Sequence, residues 1–162
     1  MLYATVMNLE LRRLTEVPKQ EIINLMNLDL VRRQMPLLKG YFGEGECEKF
    51  LAAKEHLWSE FGFGPWAFVI NGSFAGWGGL QPENGEADLA MVLHPDYWGF
   101  GKKIYGEIID KAFGEMGMQS VTILLPLTRT RVKALDRLGF KADGDLEIHG
   151  ESFVRYRLEK SF

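Results

Sequence analysis

The chain has 162 residues, 46% hydrophobic and 25% charged, which is the composition of a folded domain and excludes a disordered segment. A net charge of −3 argues against a nucleic-acid binder, and the single Cys47 excludes an intramolecular disulfide. With no long apolar run and no N-terminal signal region, the expectation is one cytoplasmic domain over residues 1–162, with no membrane partner.

Leu9 and Leu11 alternate with polar residues and open a strand that drifts out of register by Thr15. Thr15 is the expected cap of a helix from Val17 to about Leu28, with Pro18 in its first turn. Ile22, Ile23, Met26 and Leu30 fall at helical spacing, Met35-Pro36 breaks the pattern, and Gly40 to Gly45 forms a loop. Glu46 to Phe61 is helical again and stops at Gly62-Phe63-Gly64-Pro65. Trp66 to Ile70 and Ser73 to Leu80 flank Asn71-Gly72, a strong short-range signal for a hairpin. After a turn at Pro82 to Gly85, Ala87 to Leu93 makes a third strand.

Phe100 to Met116 is an amphipathic helix with one broad stripe: Ile104, Tyr105, Ile108, Ile109, Ala112, Phe113 and Met116. Gly114 and Gly117 weaken its end. Ser120 to Leu125 is a buried strand. Pro126 and Thr128 open a last helix through Val132, Leu135 and Leu138, closed by Gly139. Two antiparallel strands around Gly150 finish the order. The result is a mixed α/β fold, with a central sheet of about seven strands and about four helices.

Chemistry concentrates at Leu93-His94-Pro95-Asp96-Tyr97-Trp98-Gly99-Phe100-Gly101-Lys102-Lys103-Ile104. A strand ends at His94-Pro95 and a helix begins near Phe100. Gly99 and Gly101 carry no β-carbon to hold a ligand off the backbone. The first helical turn presents unpaired N–H groups and the positive end of the dipole, and Lys102 and Lys103 add full charges. These residues read as a pyrophosphate cradle, which a nucleotide or a larger phosphorylated cofactor would suit. Arg129, Arg131 and Lys133 form a basic run that is either a solvated face or a further phosphate contact. Cys47 has no accompanying histidine pattern and is expected in the core. Trp66 and Trp77 are expected there too. No metal site is expected.

The order of elements, with Trp98-Gly99-Phe100-Gly101, resembles the GNAT superfamily of acyl-CoA-dependent N-acetyltransferases. The likeness continues in Leu11-Arg12-Arg13-Leu14-Thr15, Phe74-Ala75-Gly76-Trp77-Gly78-Gly79-Leu80, Ala87-Asp88-Leu89-Ala90-Met91-Val92-Leu93 and Ala134-Leu135-Asp136-Arg137-Leu138-Gly139-Phe140. It is nearest to the branch that includes ribosomal-protein N-terminal acetyltransferases. The resemblance implies acetyl-CoA as cosubstrate, bound by Met91, Val92, Leu93, Trp98, Gly99, Phe100, Gly101, Lys102, Lys103, Ile104 and Thr128. It implies that the pantetheine arm pairs like an added strand with Met91 to Leu93. Homodimers are common in families like this one. Trp98 stands where the family pattern has Gln or Arg, and Lys103 replaces its last small residue.

The implied reaction is direct attack of a neutral amine on a thioester. A strand N–H near Leu93 would polarise the carbonyl. Many relatives carry a carboxylate on the strand after the cofactor helix, but Val121 to Leu125 has none. Many carry a Tyr on the last helix, where this chain has Leu135. Asp88, Glu86 and His94 are therefore the candidate proton acceptors, with Asp88 first because it alternates away from Leu89 and Met91. Thr128 or Thr130 is expected to steady the thiolate. An α-amine, with a pKa near ~8, is partly neutral at pH 7 and needs less help than a lysine side chain near ~10.4. The same gaps keep open a second reading, a non-catalytic acyl-CoA binding or sensing module. The segment from Met35 to Gly45 and the hairpin near Gly150, with His149 and Arg155, are expected to shape the acceptor pocket.

Overall fold

A computed structural model describes residues 7–129 and 132–161. Seven strands form one sheet in the order β1-β2-β3-β4-β5-β7-β6: β1 (Leu9–Arg12), β2 (Pro65–Ile70), β3 (Ser73–Glu83), β4 (Glu86–Leu93), β5 (Ser120–Pro126), β6 (Lys141–Ile148) and β7 (Glu151–Glu159). Every neighbouring pair is antiparallel except β4 and β5, which run parallel. Among the described residues five α-helices cover the faces: α1 (Lys19–Met26), α2 (Asp29–Arg32), α3 (Glu44–Phe61), α4 (Gly101–Phe113) and α5 (Lys133–Leu138). The expected mixed sheet is thus present, with the helical tally raised by the short α2.

The hairpin signal at Asn71-Gly72 is realised. Asn71 and Gly72 both have positive φ, at 50° and 84°, the backbone of a type I′ turn, whose twist matches the strands on either side. The same device, one polar residue and a glycine, joins β3 to β4 at Asn84-Gly85 and β6 to β7 at His149-Gly150.

Two apolar layers result. On one face Ile104, Ile108 and Ala112 of α4 and Leu135 of α5 pack against Phe68, Leu89 and Val121. On the other, Ile22, Met26, Val31, Cys47 and Leu51 pack against Ala67, Val69 and Trp77. Cys47, Trp66 and Trp77 are buried, as expected of core residues. Burial also pushes the Cys47 thiol above its ordinary range, away from nucleophilic use.

Several boundaries depart from expectation, α4 among them, which ends at Phe113 rather than at Met116. Thr15 does not cap the first helix. Leu14–Glu16 is a 3₁₀ turn, and α1 starts after Pro18, whose fixed φ suits the cap position. The first helical pattern also divides, because Asn27 ends α1 and α2 begins anew at Asp29. The last helix starts at Lys133 rather than at Thr128, since the chain first turns with Arg129 N–H donating to the Pro126 carbonyl at 2.9 Å.

Candidate active site

β4 and β5 are in register at one pair, Asp88 and Thr122. Beyond that pair lies a cavity of about 600 Å³. Its wall includes the consecutive residues Leu89 to Leu93 of β4 and Ile123 to Pro126 of β5. Successive strand residues point to opposite faces, so a cavity touching all of them sits between the strands and opens onto both faces.

The peptide groups that line this gap can be assigned. The His94 N–H donates to the Ala75 carbonyl at 2.8 Å, so that group faces β3. Alternation turns the peptide groups of Leu93 and Met91 the other way, toward the gap. The Leu93 carbonyl accordingly accepts from the Trp98 indole N–H at 2.9 Å. Trp98 lines the cavity while remaining 47% exposed.

The chain passes from β4 to α4 through a 3₁₀ turn, Pro95–Phe100. His94 caps that turn, its Nδ1 accepting from the Asp96 N–H at 3.1 Å. Gly99 lies in the turn and Gly101 is the first residue of α4. A β-carbon at Gly99 would meet nothing within 4 Å, and one at Gly101 would meet only the Leu93 and Met91 side chains at 3.9 Å. Space therefore exists against the backbone where the turn passes into α4, room that a diphosphate could use, while the Gly101 N–H itself donates to the Trp98 carbonyl. Gly101 faces the cavity. Lys102 and Lys103 are exposed on the first turn of α4, outside the cavity wall. Phe100 and Ile104 belong to the apolar layer, and Ile104 is fully buried, so only its backbone is available to a ligand.

Asp88 is on the face covered by α1 to α3, opposite to Leu89. Its carboxylate accepts a hydrogen bond from the Thr122 hydroxyl at 2.9 Å. Its pKa is raised from 3.8 to about 7, chiefly because burial disfavours the charged form. The Thr122 hydrogen bond and the more distant Arg155 pull it down, and Glu83 pushes it up. The other two proton-acceptor candidates are otherwise engaged. Glu86 accepts from both terminal nitrogens of Arg157, at 2.8 and 3.1 Å, and this pairing holds its pKa below the ordinary range. His94 borders a separate shallow pocket beside α1.

Tyr105, four residues into α4, also lines the cavity. Burial raises its pKa, and it lies close enough to feel both Arg129 and Asp88. Arg129 lines the cavity as well. Thr128 is exposed in the turn after β5 and is not part of the cavity wall. Thr130 and Arg131 lie outside the described residues. Helical periodicity counts Tyr105 only as apolar stripe, although a phenol in the second turn after a phosphate cradle is a usable signal. Met35 to Leu38 and, on the last hairpin, Ile148 and Phe153 line the same cavity. His149 is exposed in its turn.

The family model of the acetyltransferase (GNAT) domain matches residues 8–141. The chain belongs to this family, whose members transfer an acetyl group from acetyl-CoA to an amine. No curated protein sequence matches it. Among solved structures it is similar to an acetyltransferase from Agrobacterium tumefaciens (16% identity, 99% of this chain and 98% of that one, TM-score 0.75). It is similar to a GNAT-family acetyltransferase from Bacillus anthracis (16% identity, 93% and 94%, TM-score 0.73). It is also similar to spermidine N-acetyltransferase from Vibrio cholerae, solved with CoA and spermine (17% identity, 94% and 95%, TM-score 0.73). At these identities the likeness is one of fold.

Proposed function

We propose that Asp88 and Tyr105 carry the proton transfers of an acetyl-CoA-dependent N-acetyltransferase, and that the gap between β4 and β5 is where acceptor and cosubstrate meet. The observation that carries this reading is the half-buried Asp88 carboxyl, tied to Thr122 at the inner end of the gap. A base with a pKa near the working pH is in the best range for general base catalysis.

Acetyl-CoA, when bound, supplies a thioester carbonyl to which an amine can add. Gly99 and Gly101 leave room for its diphosphate against the backbone at the start of α4, and Arg129 adds charge nearby. The N–H groups of Met91 and Leu93, facing the gap, hold the pantetheine arm and polarise the carbonyl. At about 3.3 Å per strand residue, Met91 lies about 10 Å along β4 from Asp88. Asp88 therefore takes up the amine's proton through a chain of waters. Tyr105 stays protonated near neutral pH and serves as the donor to the departing sulfur. In this reading Tyr105 takes the role at the sulfur expected of Thr128 or Thr130.

The glycine turn led by Trp98 supports membership of the branch that includes ribosomal-protein N-terminal acetyltransferases, and with it an α-amine as acceptor. The same reading carries a homodimer as the expected assembly and a cytoplasmic location. Among the described residues no helix is long and apolar enough to cross a membrane.

The test is release of free thiol from acetyl-CoA across a panel of primary amines, beside calorimetric binding of acetyl-CoA. Release that depends on an acceptor is the expected result. Tight binding with no release for any amine overturns the catalytic reading and leaves a binding module.

A further inference from the structure

We infer that the acceptor is a primary monoamine attached to an apolar body, and that polyamines are poor substrates. The inference rests on the acetyltransferase reading and concerns the far end of the same cavity. There the wall is built by Val31, Met35, Leu37 and Leu38 from α2 and the segment after it, and by Ile148 and Phe153 from the last hairpin. None of these side chains carries an oxygen or nitrogen that could accept a hydrogen bond from an ammonium group. Gln34 is the polar side chain contributed by this wall, and it is neutral.

Charge around the cavity points the same way. Asp88 receives one amine. Glu83, at the rim, is near the Lys54 ammonium, which is half-buried, bonded to Gln81 and seated over Trp77 at 5.1 Å. Arg155 is near enough to lower the Asp88 pKa. A second ammonium would thus enter a cavity walled in part by the Arg129 guanidinium, with Lys54 and Arg155 nearby and the Glu83 carboxylate to share. It would lose its hydration without gaining a partner. An alkyl or aryl body would instead leave water for an apolar wall. Sites discriminate most strongly when the wrong ligand leaves a polar group unpaired.

The chemistry is shared by a free apolar amine and by a peptide whose first side chain is apolar. The experiment compares kcat/KM for n-hexylamine, a short peptide beginning with leucine, and spermidine. We expect the better of the first two to exceed spermidine by about ten-fold or more. The ranking of hexylamine against the peptide identifies the source. Spermidine equal to or better than both overturns the inference while leaving acetyl transfer intact. Calorimetry on the CoA-loaded protein gives the answer even without turnover. Hexylamine should bind more tightly than spermidine, with a negative heat-capacity change. Equal binding, or no hexylamine binding, overturns it. Leu37 is 42% exposed, so Leu37→Glu leaves the core untouched and places a carboxylate on the apolar wall. That variant should raise spermidine relative to hexylamine by about ten-fold. An unchanged ratio counts against the assignment of this wall.

Discussion

The hydroxyl of Thr122 and the carboxylate of Asp88 meet at 2.9 Å, where the parallel strands β4 and β5 last run together. The family pattern puts an acid on β5. Here β5 contributes a hydroxyl at this pair and β4 contributes the acid.

Asp88→Asn keeps the acceptor oxygen for Thr122 and removes the base. Acetyl transfer should fall about 100-fold or more in kcat. Acetyl-CoA affinity should stay within about two-fold, since Asp88 is not part of the cradle. Steady-state thiol release and calorimetry read the two quantities separately.

Activity should rise with pH through an apparent midpoint near 7, as Asp88 loses its proton. Thr122→Val removes a bond that favours the charged form, so the midpoint should move to higher pH. Stability follows a matching rule. The folded pKa of Asp88 lies above its ordinary 3.8, so its contribution to stability is full below that pH and is lost as pH climbs through about 7. Asp88→Asn should therefore melt above the wild type in mildly alkaline buffer, with the difference closing in acid. Paired Tm measurements across pH check the sign.

Gly101 separates stability from binding. Its φ is −52°, ordinary helical backbone, and an added β-carbon meets nothing closer than 3.9 Å. Gly101→Ala should raise stability by up to about 0.5 kcal/mol. Gly101→Glu should fold as well, because an acidic side chain suits a helix start. It should nevertheless abolish acetyl-CoA binding, by filling the cradle and repelling the diphosphate. Urea unfolding beside calorimetry distinguishes the two effects.

Gly78→Ala should unfold the protein or destabilise it by about 3 kcal/mol or more. Gly78 has φ +151°, and a β-carbon there would lie 2.2 Å from the Ala90 carbonyl oxygen of the neighbouring strand. Gly85→Ala is the control: φ is +78° with nothing within 4 Å, so only backbone strain of about 1 kcal/mol applies. Urea midpoints rank the pair.

Local rules were enough for the elements whose causes are local. Asn71-Gly72 fixed a hairpin, and Gly99 with Gly101 marked a turn against a helix start. Thr15 and Thr128 misled because a good capping side chain competes with its surroundings. Pro18 set the start of α1, and the Pro126–Arg129 turn delayed α5. The pairing of Asp88 with Thr122 spans 34 residues and depends on a parallel register that no local pattern encodes. Tyr105 was hidden because periodicity counts its ring as apolar and ignores its hydroxyl. Glu86 looked like a base until Arg157, 71 residues away, was seen to hold it.

Trp98 gives the molecule a built-in optical probe. Of the four tryptophans, Trp66 and Trp77 are sealed in the core and Trp58 is half-buried with its N–H on the Pro65 carbonyl. Trp98 alone stands in the doorway, with its indole anchored to Leu93 and its ring in water. A guest entering there dries that ring first. Emission should shift to shorter wavelength, so arrival and departure can be timed in a stopped-flow instrument without attaching a dye.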